Sequence, residues 1–259
     1  MWPSPPVMLD GTKPTYWYPF QANYPVAKKV EKLASWFDMP FEKRPQLIMG
    51  YAPDVDVEGH RSGAHSDAVE KTIAAMDSFA SSVTDMLAAR NLTDIVDVVY
   101  VSDHGMTDTA NERLVFLDEI IGAANFAAIT SSEGWPSAGI RFNPSTSLPA
   151  VLSLLVAAAE LPNSGFEVYS NVTMPEEWHF VDADRIPPIY VVPDEGWAIT
   201  SRAQWESMNG TFAPAGNHGY SNHYQSMVRF SPRFAFRAVA NASTSSTRSS
   251  WRTGHSRQG

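Results

Sequence analysis

Residues 95–106 read Ile-Val-Asp-Val-Val-Tyr-Val-Ser-Asp-His-Gly-Met, and this stretch decides the expected fold. A short run rich in valine and isoleucine is typical of a buried strand. The polar pair Asp103 and His104 follows at the carboxyl end of that run. Because α/β proteins place their sites at the carboxyl ends of strands, the stretch predicts both a strand and a candidate site.

A second apolar run has the same arrangement. It covers residues 47–51 and leads into Asp56-Val-Glu-Gly-His60. Between the two runs, Ser66 is a favourable helix N-cap, and one apolar stripe extends from there to Leu87. Strand, helix and strand in this order favour a right-handed crossover between two parallel strands, with both carboxyl ends on one edge of a sheet.

The rest of the chain supplies further expected elements. Apolar spacing predicts helices in residues 26–37, 114–121 and 149–161, whereas residues 189–192 suit a short strand. Residues 165–202 are rich in Pro, Trp and acids, and we expect them to cover one end of the sheet rather than form a separate domain. The predicted fold class is therefore α/β.

Composition limits the class of protein. The 259 residues are 44% hydrophobic, which is enough for a substantial core, and the formal net charge is −9. This acidity argues against a general affinity for nucleic acid or anionic membranes. The chain has no cysteine, so any metal would be held by nitrogen and oxygen. No apolar stretch reaches the ~20 residues that a membrane helix needs.

The charge is unevenly distributed along the chain. Residues 228–259 contain six arginines and no acid. Their Ser, Thr and Arg content predicts a disordered basic tail, and residues 1–227 are expected to form the folded domain. Asn-x-Ser/Thr sequons would permit glycosylation in a secretory setting; they lie at Asn91, Asn171, Asn209 and Asn241.

Acid and histidine residues gather in three loops. Asp56 and His60 are four apart, so within a helical turn they share one face and can bind one ion. Asp103 and His104 are adjacent, so both reach one ion only if the chain turns there, which Gly105 allows. Each pair taken alone has an ordinary explanation as a surface pair or a helix cap.

A third histidine favours metal binding over a surface pair or a helix cap. His218 lies in Gly-Asn-His-Gly-Tyr-Ser-Asn, residues 216–222, where the flanking glycines let the backbone approach a neighbour closely. Two imidazoles and a carboxylate form a ligand set that suits zinc.

Three spaced segments carry a family resemblance. The strings DVEGH, IVDVVYVSDHGMTDT and GNHGYSN, in this order, resemble the nucleotide pyrophosphatase/phosphodiesterase family of the alkaline phosphatase superfamily. The resemblance spans residues 2–227 and implies an alkaline phosphatase-like, mostly parallel sheet flanked by helices. It also implies zinc-dependent hydrolysis of nucleotide phosphodiester or pyrophosphate bonds, with two zinc ions and a threonine nucleophile.

The resemblance assigns metal ligands residue by residue. Asp56, His60 and His218 match the ligands of one zinc ion, which makes that site complete in this chain. Asp103 and His104 match two ligands of the second zinc ion. Two such ions would clamp the phosphoryl oxygens and stabilise the leaving oxygen.

The resemblance also suggests how a substrate is held. Phe20 matches an aromatic position that stacks on the nucleobase in relatives, and Tyr18 is the nearby alternative. A loop aromatic packed on the edge of the sheet is the competing interpretation. The implied partner is a nucleotide or another phosphodiester small molecule, and the implied location is the secretory pathway, extracellular or membrane-anchored.

Two parts of the family pattern are not matched. The nucleophilic threonine and one aspartate of the second zinc site belong to a strand and helix start that would precede Met1, and we expect neither Thr107 nor Thr109 to replace that threonine. The sheet would then be incomplete and the activity weak or absent. After Met227 the sequence departs from the family as well.

Other functions therefore stay open. The alternative is a noncatalytic protein that retains a metal or nucleotide pocket. Sulfatases and metal-dependent mutases share the two-metal framework, but the aromatic loop favours nucleotides.

Overall fold

A computed structural model describes residues 10–181, 183–211 and 214–228 of the chain. The expected basic tail lies outside these ranges from residue 229 onward. None of the helices in the described part of the chain has both the length and the apolar character that crossing a bilayer requires.

The first half of the described chain is helical. Ser66 caps the long third helix, since its side chain accepts a hydrogen bond from the Val69 amide. The apolar stripe of this helix, around Val83 and Leu87, packs against the first helix. The elements are α1 (Val26–Phe37), a 3-10 turn (Phe41–Lys43), α2 (Asp54–Ser62) and α3 (Asp67–Ala88).

The second half alternates strands and helices. The elements are β1 (Thr107–Asp108), β2 (Leu114–Phe116), α4 (Leu117–Ala127), β3 (Ile129–Glu133), β4 (Ala138–Phe142), α5 (Leu148–Ala159), β5 (Phe166–Ser170), a 3-10 turn (Glu176–Trp178), β6 (Ile189–Pro193), β7 (Ala198–Thr200), α6 (Arg202–Ser207), β8 (Gly216–Asn217) and α7 (Gln225–Val228).

The strands pair in three groups. A four-stranded antiparallel sheet has the order β3-β4-β6-β5, β2 runs parallel to β7, and β1 runs antiparallel to β8. The main apolar core lies between the four-stranded sheet and helices α4 and α5, where Ile140, Val151, Leu155 and Val191 are fully buried. Burial of each such side chain stabilises the folded protein by roughly 1.5–3 kcal/mol.

Most local expectations are confirmed. The helices α1, α3 and α5 and the strand β6 appear where apolar spacing predicts them, and the α/β class holds. The predicted helix over residues 114–121 is partly wrong, because its first three residues form β2 through pairing with the distant β7. Residues 165–202, expected only to cover one end of the sheet, contribute the strands β5, β6 and β7.

The two apolar runs that led the sequence argument do not form the expected ladder. Residues 47–50 and 97–99 make no backbone hydrogen bond with another described residue, so the parallel pair is not formed among them. One face of the second run is covered, since Val96 and Val98 pack against α3. The other face is exposed: Val99 and Val101 are 76% and 77% exposed. Of the five pairings in the described ranges, one is parallel.

Candidate metal centre

Helix α2 places the first two site residues. Asp56 and His60 lie one turn apart in α2, with Asp56 Oδ1 and His60 Nε2 separated by 3.5 Å. The geometry matches the prediction that the spacing of four brings both side chains to one face.

Strand β8 brings the third residue to this helix. The Ala215 amide donates to the His60 carbonyl at 2.9 Å, and the His60 Nδ1–H donates to the Gly216 carbonyl at 2.8 Å. The two backbones approach so closely that a Cβ on Gly216 would lie 2.4 Å from the Gly59 carbonyl oxygen. Glycine at position 216 therefore permits the contact that presents His218 to α2.

The loop at residues 102–105 supplies the fourth residue. The Ser102 hydroxyl donates to the His104 carbonyl at 2.7 Å, and the Gly105 amide donates to the Met227 carbonyl at 2.9 Å. These bonds form the turn that the adjacent residues Asp103 and His104 require if both side chains are to face one point. The His104 Nδ1–H donates to the Gly105 carbonyl at 2.9 Å, which leaves its Nε2 facing the site.

All three imidazoles converge on one carboxylate oxygen. Asp56 Oδ1 is buried and has no hydrogen-bond partner in the described part of the chain. Around it lie the Nε2 atoms of His218 at 3.2 Å, His60 at 3.5 Å and His104 at 3.8 Å. The rings of His104 and His218 stack with centroids 3.5 Å apart and an interplanar angle of 14°.

This arrangement places electron pairs against one another. His60 and His104 donate through Nδ1, so in the neutral form of each ring the Nε2 atom that faces Asp56 carries a lone pair and cannot donate to the carboxylate. Burial and then the proximity of His104 lower the pKa of His218, which favours the neutral form of that ring. A cluster of acceptors without a donor is stabilised by a cation.

The distances suit a bound metal ion. The donor atoms of Asp56, His60 and His218 all lie within 4.8 Å of one another. Ligands bound to Zn²⁺ at about 2.0–2.1 Å in a tetrahedron lie about 3.3 Å apart, close to the separations seen around Asp56 Oδ1. The carbonyls that hold the Nδ1 atoms orient the rings, as partners of metal-bound histidines do.

The structure brings four of the five predicted ligands together. Asp103 lies at the rim, with its Oδ1 3.7 Å from the His104 Nε2 and its side chain 70% exposed. The other predicted ligand of the second ion, His104, is not set apart but stacks within the cluster around Asp56.

One of the two predicted aromatic residues contacts a tyrosine ring that lies near this centre. The Phe20 ring lies 6.4 Å from the Tyr51 ring, and burial followed by the charges of Asp103 and Asp56 raises the pKa of Tyr51. Tyr18 instead pairs with another ring on the α1 side, at 5.4 Å.

Tyr51 is a neighbour of the centre that the sequence argument did not single out. It closes the apolar run at residues 47–51, where an aromatic residue fits equally well into a core. The signal that could have found it is its place at the end of that run, directly before the segment that carries Asp56.

Comparison with known proteins now identifies the family. The family model for type I phosphodiesterases and nucleotide pyrophosphatases matches residues 1–221. The chain belongs to this family. A pyrophosphatase/phosphodiesterase of Schizosaccharomyces pombe, itself uncharacterised, is 32% identical over 225 residues, which are 86% of this chain and 46% of that protein. Human ectonucleotide pyrophosphatase/phosphodiesterase family member 5 is 31% identical over 223 residues, which are 86% of this chain and 43% of that protein.

Solved structures agree with this assignment. Murine ectonucleotide pyrophosphatase/phosphodiesterase 5 superposes with a TM-score of 0.75 at 28% identity, covering 88% of this chain and 57% of that one. An inactive variant of the same murine protein, in complex with AMP, superposes equally well. The alkaline phosphatase-like α/β fold expected from the sequence is thereby confirmed, and this chain spans about half the length or less of the curated relatives described above.

Proposed function

We propose that this chain binds zinc and carries part of the catalytic centre of a hydrolase of nucleotide phosphodiester or pyrophosphate bonds. Asp56, His60 and His218 hold one ion, and Asp103 and His104 supply two ligands to a second. The observation that carries the proposal is the buried Asp56 Oδ1, which has no hydrogen-bond partner in the described residues and faces three imidazole nitrogens.

Each residue has a physical role in this proposal. When bound, zinc would supply Lewis acidity toward a phosphoryl oxygen. The backbone carbonyls of Gly216 and Gly105 fix the rings of His60 and His104, so the donor set is preorganised. Because the centre is partly buried, the charge of Asp56 acts there through a lower effective dielectric than in bulk water.

The aromatic pair supplies a place for a base. Phe20 and Tyr51 stand with ring centroids 6.4 Å apart and tilted by 52°, and burial followed by the charges of Asp103 and Asp56 raises the pKa of Tyr51. Stacking of a nucleobase on an aromatic ring stabilises binding by ~1–3 kcal/mol. The AMP complex of the murine relative supports a nucleotide as the ligand class.

Hydrolysis by these residues alone is weak in our proposal. The hydroxyls nearest to His104 in sequence are already engaged: Ser102 donates to the His104 carbonyl and Thr109 donates to the Pro214 carbonyl. Thr107 is buried in β1, paired with Asn217 of β8. This favours the alternative in which the chain binds a metal or nucleotide without efficient turnover.

Zinc stoichiometry tests the proposal directly. Purified chain, dialysed against excess zinc and then against buffer, should retain about one tightly bound ion per chain by mass spectrometry of metal content. Asp56→Ala and His218→Ala should lower the zinc affinity by about 10–100-fold or more, since each removes a ligand. Full zinc content in both variants would refute the assignment of this centre.

Activity and nucleotide binding separate the two functions. Turnover of a p-nitrophenyl ester of thymidine 5′-monophosphate at the rate of complete relatives would contradict weak activity. Binding of AMP without turnover would favour the noncatalytic alternative.

The secretory location belongs to the same proposal. Three of the sequon asparagines, Asn91, Asn171 and Asn209, are exposed in turns, where an oligosaccharide can be attached. The fourth, Asn241, lies outside the described residues.

A further inference from the structure

Lys29 is the one lysine or arginine that is buried among the described residues. Its side chain is 6% exposed, and its Nζ lies 3.3 Å from Asp54 Oδ2. Removing an ammonium group from water is costly, so lysine is seldom buried unless its charge is paired. An apolar side chain of the same size would fill this position without that cost. The charge at position 29 therefore calls for a role, and the metal and base contacts described above do not use it.

The ion pair joins two helices. Lys29 lies near the start of α1, and Asp54 is the first residue of α2. No other ion pair connects these helices within the described ranges. Both helices also pack against α3, where α1 makes apolar contacts that are not directional. The pair between Lys29 and Asp54 therefore defines where α1 stands relative to α2.

Helix α2 carries the metal ligands. Asp54 precedes Asp56 by two positions, and His60 follows one turn later in the same helix. A shift of the first turn of α2 relative to α1 therefore changes the place of the metal centre relative to everything that α1 carries.

Helix α1 carries the aromatic loop, residues 16–24, which ends just before the helix begins. The Lys32 ammonium lies over the Tyr18 ring, 5.3 Å from its centroid. The Tyr18 and Tyr24 rings lie 5.4 Å apart, and Phe20 stands between these tyrosines in the chain. These contacts attach the loop to α1, so Phe20 keeps its position only if α1 does.

The loop and the metal-bearing segment meet at two places. One is the contact between the rings of Phe20 and Tyr51, with centroids 6.4 Å apart. The other is the ion pair between Lys29 and Asp54. Since this pair is largely excluded from water, its attraction acts through a lower effective dielectric than at the surface. It therefore holds the loop against α2 more firmly than a tilted ring contact does.

We propose that Lys29 is a positioning residue for nucleotide binding, because it holds α1 and the aromatic loop at a fixed distance from the metal-bearing helix α2. This role rests on the proposed function, in which Phe20 and Tyr51 contact the base while Asp56 and His60 bind the ion at the phosphate. The base and the phosphate of one nucleotide are joined covalently, so both can bind together only if their two sites are correctly spaced. Lys29 sets this spacing without contacting the nucleotide.

The substitution Lys29→Met removes the charge and keeps an unbranched side chain. Asp54 is about one-third exposed, so its charge stays hydrated without the lysine, and the fold should be kept. AMP and ribose 5-phosphate are titrated into the zinc-loaded full chain by calorimetry, because ribose 5-phosphate lacks the base. We expect the preference for AMP over ribose 5-phosphate to fall by ~10-fold in Lys29→Met, as part of the base stacking is lost. The affinities for zinc and for ribose 5-phosphate should stay unchanged.

Lys28→Met is the matched control. Lys28 neighbours Lys29 in the same helix, but its side chain is 55% exposed and its partner, Glu31, belongs to α1 as well. This variant should keep the preference for AMP of the unaltered chain.

A double-mutant cycle with Asp54→Asn tests whether Lys29 acts through Asp54. Asp54→Asn alone should also lower the preference for AMP, since it leaves a buried ammonium group unpaired. The double variant leaves no buried charge unpaired and should lose no more of the preference than Lys29→Met does. Losses that simply add in the double variant would show that Lys29 does not act through Asp54, and would overturn the proposal.

Three other results would overturn it. The first is an unchanged preference for AMP in Lys29→Met. The second is an equal loss of affinity for AMP, ribose 5-phosphate and zinc, which would assign Lys29 to the stability of the domain alone. The third is an unaltered chain that binds zinc and ribose 5-phosphate without any preference for AMP. That last result appears before any substitution and would show that the proposed base site itself is wrong.

Discussion

Substitution of Gly216 by alanine tests how the metal centre is assembled. The added Cβ would lie 2.4 Å from the Gly59 carbonyl oxygen, whereas ordinary contact begins at 3.4 Å. Helix α2 and strand β8 must therefore separate by ~1 Å, and the neighbouring atom is backbone that cannot rotate away.

The separation has a cost that can be worked out from the contacts. It weakens two hydrogen bonds, from the Ala215 amide to His60 and from the His60 ring to Gly216. Each contributes ~0.5–1.5 kcal/mol, and overpacking adds ~1–3 kcal/mol, so the free energy of unfolding should fall by ~2–6 kcal/mol. A ligand ring that loses its orienting carbonyl should also bind zinc ~10–100-fold more weakly.

Zinc titration against a competing chelator and urea unfolding measure the two effects. Gly50→Ala is the matched control, because a Cβ there meets nothing within 4 Å and both quantities should stay unchanged. If Gly216→Ala binds zinc as tightly as the unaltered chain and is equally stable, the close approach of the two backbones does not build the site.

Three further outcomes follow from the described contacts. Tyr51→Ala should weaken AMP binding by about tenfold in calorimetry, whereas Tyr51→Phe keeps the ring and should change it little; equal loss in both would exclude stacking. Ser66→Ala should lower the unfolding free energy in urea by ~1 kcal/mol, since it removes the cap of α3, and Ser82→Ala at an exposed mid-helix position is its control. When the chain is expressed in a secretory host, we expect glycans that a glycosidase removes, and Asn91→Gln should carry one glycan fewer than the unaltered chain. If Asn91→Gln and the unaltered chain carry the same glycan mass, Asn91 is not glycosylated.

The sequence predicts those features that depend on neighbours along the chain. The 3.6-residue apolar spacing predicts helices α1, α3 and α5. The spacing of four between Asp56 and His60 predicts that both side chains lie on one face of α2. The loops that carry His104 and His218 could be named from their glycines and from the family resemblance.

Features that depend on distant partners could not be predicted in this way. Strand β2 exists because residues 114–116 pair with β7, more than eighty positions away. The apolar runs at 47–51 and 95–101 have the composition of buried strands, but composition does not reveal whether a pairing segment lies beside them. The stacking of His104 on His218 likewise depends on the path of β8, which no local pattern encodes.

The hydrogen bond between His60 and Gly216 joins residues 156 positions apart. Contacts between segments so far apart in sequence form late in folding, because the long loop between them must first be closed. The ligand cluster should consequently assemble after the helices and the local hairpins. Slow zinc uptake during refolding would then report the last kinetic phase, and zinc bound per chain would report the fraction of molecules that have completed it.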